Sequence, residues 1–376
     1  MKTAITIARI LTGSLFIFSG LVKAIDPRGL AYKMQEFFEV WAHDGYMTGL
    51  MNALNDYALA FSVIMITLEV VVGVALLLGW QKKLTTWVLF LLILFFTFLT
   101  SYVLFTGKIR ACGCFGDCIP LTPVQTFTKD IILLVLIVML MWQRKYITPV
   151  AKPLLSLIYI LTVTGLTLFL QFYVLRHLPV VDCLPYKKGN NILKLREMPE
   201  DAVMDKYDYV FVYEKAGEKK DFIVTVLPDS TWSFVERKQK LIAKGKNNVP
   251  KINDFSFTTA SGNDTTKAIL GQEKEYYLLF IRDLRDYPAN WDGDIRAILN
   301  ITNNSKEVYI ITSQRSEVEQ RFGNKYVMQS KEYHPQIFTC DGTAIKTAAR
   351  ANPAIFKMKG PVVLNKWSWA DFDKID

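Results

Sequence analysis

The chain reads as an α-helical membrane bundle of five spanning helices followed by an extracytoplasmic α/β domain. Three observations predict this. Residues 1–175 contain five apolar runs long enough to cross a bilayer, which takes about 20 residues as a helix. Residues 180–376 mix polar, charged and apolar positions as an ordinary globular domain does. Within that half, short apolar strand patterns alternate with helical ones, the order of an α/β sheet. The composition agrees: 51% of the 376 residues are hydrophobic, more than a soluble chain needs. The formal charge of +9 does not point to nucleic acid. Much of it lies on membrane flanks and in the stretch Arg237–Lys246, which lacks interleaved aromatic residues and reads as a solvated face.

The spanning segments are Ala4–Ala24, Tyr57–Trp80, Thr85–Phe105, Gln125–Trp142 and Leu154–Val174. The first is read as a retained helix and not a signal peptide, because Phe16, Phe18 and Lys23 stand where small cleavage-site residues would be. Lysine and arginine in short loops set the orientation. Lys82, Lys83, Arg144, Lys145 and Lys152 place two loops in the cytoplasm, and the N-terminus with them. The acidic loop Lys23–Asp56, the loop between the third and fourth helices and everything after the fifth helix then lie outside. Lys108 and Arg110 in that third loop run against the pattern.

All five cysteines fall on the outer side, where disulfides form and persist. Cys112, Cys114 and Cys118 crowd into "CGCFGDC"; Cys183 and Cys340 come later. Thr122, Pro123 and Gln125 mark a helix start just after the loop, so Cys118 sits about a turn before a helix N-terminus, where partial positive charge favours a thiolate. Gly113 and Gly116 permit a tight backbone. A Cys112–Cys114 bond would close a strained ring; Cys114–Cys118 or Cys112–Cys118 would form more easily, leaving a third thiol to exchange. A static staple is the competing reading. A metal site is the weakest, since the spacing is not that of paired CxxC knuckles. Cys183 follows the fifth helix closely enough to reach the loop. Cys340 reads as a buried small hydrophobe or as a partner thiol.

Arg9 and Glu69 lie inside the first two spanning helices. Ionisable groups at membrane depth are functional candidates. Their depths are close enough for an ion pair that fixes packing; the alternative is a role in handling protons or a quinone. No other cofactor and no metal is implied. Gly13, Gly20, Gly73 and Gly79 suit close helix packing.

In the outer half, Tyr207–Glu214 and Phe222–Leu227 read as a hairpin. "YYLLFI" and "EVYIITS" read as buried strands, "NWDGDIRAILN" and "SEVEQRF" as helices, and the stretch from Asp341 closes with helix, strand, turn, strand. The entrance "VPKINDFSFTTASGNDTTKAIL" looks like that of a thioredoxin-like or peroxiredoxin-like domain, with a short strand pair ahead of the central strand. That resemblance makes Pro353 the cis-proline candidate. The CxxC such domains use is missing: "IRDLRDYPANWDGDI" holds no cysteine, so this domain cannot run a dithiol cycle alone. No phosphate loop, HExxH or Ser/His/Asp arrangement is present.

The membrane half also resembles a known family. "RILTGSLFIFSGLVKAIDP" is similar to the opening of the DoxX family, "LEVVVGVALLLGW" to its second helix, and "CGCFGD" to the related MauE proteins; the long extension resembles DoxX-like proteins of Bacteroidetes. The resemblance implies a four-helix DoxX-like core plus the fifth transmembrane helix, in a bacterial inner membrane, with the C-terminal domain in the periplasm. The expected layout is residues 1–150 for the four-helix domain, 151–178 for the fifth helix, 179–250 for a linker and hairpin, and 251–376 for the thioredoxin-like domain. It also implies membrane redox chemistry. Two functions stand. One is a thiol–disulfide oxidoreductase in which Cys112, Cys114 and Cys118 exchange with an extracytoplasmic protein partner, Cys183 and Cys340 are further redox partners, and electrons reach the quinone pool near Arg9 and Glu69. The other is a non-enzymatic anchored assembly subunit whose outer domain is a recognition surface.

Overall fold

The computed structural model describes residues 2–375 except 110–112, 114, 224–225, 244, 286–306, 323–325, 329–330 and 334–335. Five of its helices are long and apolar enough to cross a membrane: α1 (Lys2–Ala24), α4 (Ala58–Leu78), α5 (Lys82–Thr106), α6 (Pro123–Trp142) and α7 (Pro153–Arg176). Their outward faces carry exposed Ile10, Phe18, Ile64, Leu91, Phe98, Ile132, Leu161 and Phe172. A surface so apolar is a liability in water and the natural one in lipid. The inward faces pack Phe16, Ile66, Leu89, Phe96, Leu99, Leu133 and Ile137 into one core. Helices α1 and α4 approach closely because a Cβ on Gly13 or Gly73 would come within 3.1 Å or 2.9 Å of the other glycine's carbonyl oxygen.

Two further helices occupy what the sequence presents as an acidic loop. They are α2 (Pro27–His43) and α3 (Thr48–Asp56). Asp26 caps α2 through the Gly29 amide, and Pro27 takes the first turn, where its missing N–H costs nothing. Leu30, Ala31, Met34, Phe37 and Phe38 are buried. That is the spacing of one helical face, and it packs on α4.

Beyond α7 and the short α8 (Ile192–Arg196), strands β1 (Lys206–Lys215), β2 (Glu218–Ile223) and β3 (Ser233–Ala243) form an antiparallel sheet in the order β2-β1-β3. The basic stretch from Arg237 lies largely on β3, whose residues are all exposed. After α9 (Thr266–Leu270) come β4 (Glu275–Ile281), β5 (Glu307–Thr312), α10 (Arg315–Phe322), the paired β6 (Tyr326–Met328) and β7 (Lys331–Tyr333), β8 (Gln336–Thr339), α11 (Gly342–Ala349), β9 (Ala354–Lys359) and β10 (Val362–Ser368). The main sheet has the order β10-β9-β4-β5-β8, with β4, β5 and β8 parallel and β9 antiparallel to both neighbours. Both its faces are covered, by a cluster around Phe255, Phe280 and Phe356 and another around Ile310, Val318 and Trp367. The central strands are therefore continuous apolar runs. Before β4 the structure has single bridges at Thr258 in place of the expected strand pair. The expected helix "NWDGDIRAILN" lies outside the described residues.

Candidate functional site

The cysteine loop is built by its flanking helices. Gly107 ends α5 in the left-handed region, and α6 begins with a full capping box between Thr122 and Gln125. Between them Ile109 and Phe115 are buried and anchor the loop in the bundle. Cys118 is bonded to Cys183, with Cα atoms 4.8 Å apart. The loop-internal pairings of Cys118 are thus replaced by a bond to the segment that leaves α7, because α7 ends at the same face of the bundle. Both cysteines are half-buried. Cys112 and Cys114 lie outside the described residues.

A set of ion pairs surrounds this disulfide. Arg350, at the left-handed C-cap of α11, donates to Asp26 at 2.8 Å and to Asp117 at 2.5 Å. Burial pulls against its charge, but the two carboxylates outweigh that and hold the guanidinium pKa above its ordinary value. Lys366 of β10 meets Asp182, next to Cys183, at 2.8 Å; its burial lowers its pKa against the pull of Asp182. Arg282 donates to the Tyr32 hydroxyl at 2.8 Å. Ser368 donates to the Arg176 carbonyl, and His177 pairs with Asp371 at 2.9 Å. The C-terminal domain is therefore clamped onto α2, the cysteine loop and the end of α7 together. Neither Arg350 nor Lys366 stands out in the sequence, since each finds its partner far along the chain.

The two intramembrane charges do not meet, correcting the pairing that their similar depths allow. Arg9 donates to the carbonyl oxygens of Leu76, Leu77 and Thr148 at 2.5–2.8 Å. Two of these acceptors lie in the last turn of α4, where carbonyls run short of helical donors, although Leu76 also accepts from the Gly79 amide; the third, Thr148, lies in the segment after α6. Glu69 instead binds Lys23 at 2.6 Å, both buried, with Lys23 also over the Phe96 ring. Lys129 and Asp130 form a second pair, and Asp130 accepts from Thr100. Both pairs line one cavity of about 20 Å³, room for a water molecule and far from the several hundred Å³ of a ring-sized ligand site. These residues do not fit a quinone. Lys23 was readable as a buried cation only through its period on α1.

Cys340 is buried in the core of the main sheet and unbonded. Burial pushes its thiol up to about 12, which suits a packed side chain and not a nucleophile. The Asn352–Pro353 peptide is cis, and the Asn352 side chain accepts from the amide of Arg282 at 2.8 Å. Among the described residues no group of three or more His, Cys, Asp or Glu is placed to hold a metal.

The geometry defines a multi-pass membrane protein with a clamped α/β domain, and comparison adds a likeness for its first half. Residues 1–143 match the family described as methylamine utilisation protein MauE, and residues 207–244 match a domain of unknown function (DUF8463). Over 135 residues the chain is 33% identical to Protein TlpB of Flavobacterium psychrophilum. That match covers 35% of this chain and 35% of TlpB, so the chain spans about a third of that relative's length. No solved structure matches the chain. The membrane half is MauE-like.

Proposed function

We propose that the protein is a membrane thiol–disulfide exchange protein acting on the extracytoplasmic side, with Cys118–Cys183 as its electron-accepting disulfide. One observation carries this reading: a half-buried disulfide lies at the bundle surface, with Cys112 and Cys114 a few residues away in the same loop. Exchange requires access for an attacking thiolate and a neighbouring thiol to relay. A thiolate attacks one sulfur, a mixed disulfide forms, and the other sulfur leaves as a thiolate and takes a proton. A second thiol of the same donor then breaks the mixed bond. The donor dithiol becomes a disulfide, and Cys118 and Cys183 become thiols. The side of the membrane follows from Lys82, Lys83, Arg144 and Lys145 at the opposite end of the bundle.

The outer domain reads as thioredoxin-like. Its sheet order, its antiparallel β9 and the cis peptide before that strand support this. With no cysteine in 281–295, its part is to hold the loop and present a partner. The test is thiol trapping in intact membranes, with maleimide added before and after reduction and the labelled peptides mapped. A mixed redox state, or a trapped mixed disulfide at Cys112, Cys114 or Cys118, is the expected result. One fully oxidised pattern that never responds to added dithiol defeats the proposal. The second reading, an anchored assembly subunit, is favoured by the β1–β3 sheet, whose outer strand β3 is exposed along its length. Stoichiometric co-purification with a larger complex, at a constant loop redox state, would select it.

A further inference from the structure

Two clefts lie between α2 and the C-terminal domain, one of about 510 Å³ and one of about 450 Å³. They share Tyr32, Gln35, Glu39 and Lys346, so they are two reaches of one groove. The membrane half supplies one wall through α2. The other wall comes from α11 and from Arg282 and Asp283, which directly follow β4. That is the carboxyl edge of the parallel strands, where open α/β sheets place their binding crevices. The far reach ends on Gly113, Gly116 and Asp117. Gly113 separates Cys112 from Cys114 in the chain, and Asp117 precedes Cys118. The groove thus runs from the sheet edge to the cysteine loop.

Its lining is polar and carries unmet hydrogen-bonding groups of both kinds. Gln35 gives its amide N–H to the Asn55 carbonyl, and Asn55 gives its own to Glu39. With the amides turned that way, the oxygen of each is buried without a partner among the described residues, as is Nε of Arg28. All three residues line the near reach. Buried polar atoms are nearly always paired, and a chain that carries one N–H and one C=O per residue supplies both missing kinds. A small thiol would occupy a fraction of either reach and could not touch both ends.

We propose that this groove seats an extended, cysteine-bearing segment of a partner polypeptide and leads its thiol to the loop. The thiol's fate rests on the exchange reading above; the seating rests on the groove alone. Thr347 lines the far reach, and its hydroxyl donates to the Thr343 carbonyl of its own helix; among the described residues it takes part in none of the clamps, so Thr347→Trp fills the groove without breaking one. The full chain in lipid nanodiscs is given either reduced, unfolded ribonuclease or free cysteine, and reduction of Cys118–Cys183 is timed. Thr347→Trp is expected to lower the rate ratio of polypeptide over cysteine about tenfold. An unchanged ratio overturns the proposal. If wild type reacts with neither thiol, the exchange reading fails. Anisotropy of a dye-labelled peptide pool of about ten residues, randomised around a central serine, then decides the seating. Binding weakened several-fold by Thr347→Trp upholds the groove, and equal binding, or none to wild type, removes it.

Discussion

At the scale of single residues, the buried charges show that placement and partner decide what a group does. Lys23 and Glu69 compensate each other's charge in a region that lacks bulk water, with the Phe96 ring adding to the cation's side. Glu69→Ala leaves an unpaired ammonium and should cost about 3–5 kcal/mol, whereas Lys23→Met combined with Glu69→Leu should recover most of it. Thermal unfolding in detergent checks both, and a double variant no better than the single one would refute the pairing argument. Cys340 gives a pH prediction. Its thiol moves from 9.0 to about 12 on folding. Above pH 9 the unfolded chain gives up this proton while the folded chain keeps it, so folding stability should fall as pH rises from 9 towards 12. Cys340→Ala should flatten that slope in denaturant titrations. The same shift predicts that maleimide labels Cys340 at pH 8 only after unfolding.

At the scale of elements, α2 joins the two halves. Its N-cap, Asp26, has two tasks, accepting from the Gly29 amide and from Arg350. Asp26→Asn keeps a good cap and discards the charge. Asp26→Ala discards both and should cost about 1 kcal/mol more. Limited proteolysis of the domain should rank wild type, Asn and Ala in that order; equal resistance of all three would remove Asp26 from the clamp. The spanning helices were legible to within a few residues, because lipid demands long apolar runs and nothing else in the chain supplies them. Helix α2 was not, although Asp26–Pro27 and the buried set from Leu30 to Phe38 carry its signature. The acids spread through the segment, Glu36, Glu39 and Asp44 among them, make it read as a polar loop. The crowding of the loop cysteines is plain in the sequence, but of the three only Cys118 lies among the described residues. The Cys118–Cys183 bond was only one of several pairings open to sequence, since a cross-link between separate segments leaves no local mark. The roles of Arg350 and Lys366 were invisible for the same reason.

At the scale of the whole molecule, the clamps make the loop's environment a joint property of both halves. Cys183→Ser removes the covalent tie and leaves the contacts of Arg350, Arg282 and His177. The domain should stay bound but open more often, so that protease cleaves the connection after α7 several-fold faster while the bundle stays intact. Arg350→Leu in addition should release it outright. Cleavage at the wild-type rate in the double variant would mean that the apolar contacts alone hold the domain. Each half thus has its own core, as the two kinds of hydrophobic pattern in the sequence suggest, and ion pairs and a disulfide reinforce the join between them.

Synthesis adds time to this picture. Asp26 leaves the ribosome 324 residues ahead of Arg350, and translation at about 5–20 residues per second makes that wait on the order of 16–65 seconds. The bundle therefore spends its youth with two carboxylates, Asp26 and Asp117, facing water without their counter-ion and with its groove half-built. For that interval the nascent chain is a different object from the finished one, open at the surface that its last residues will later cover.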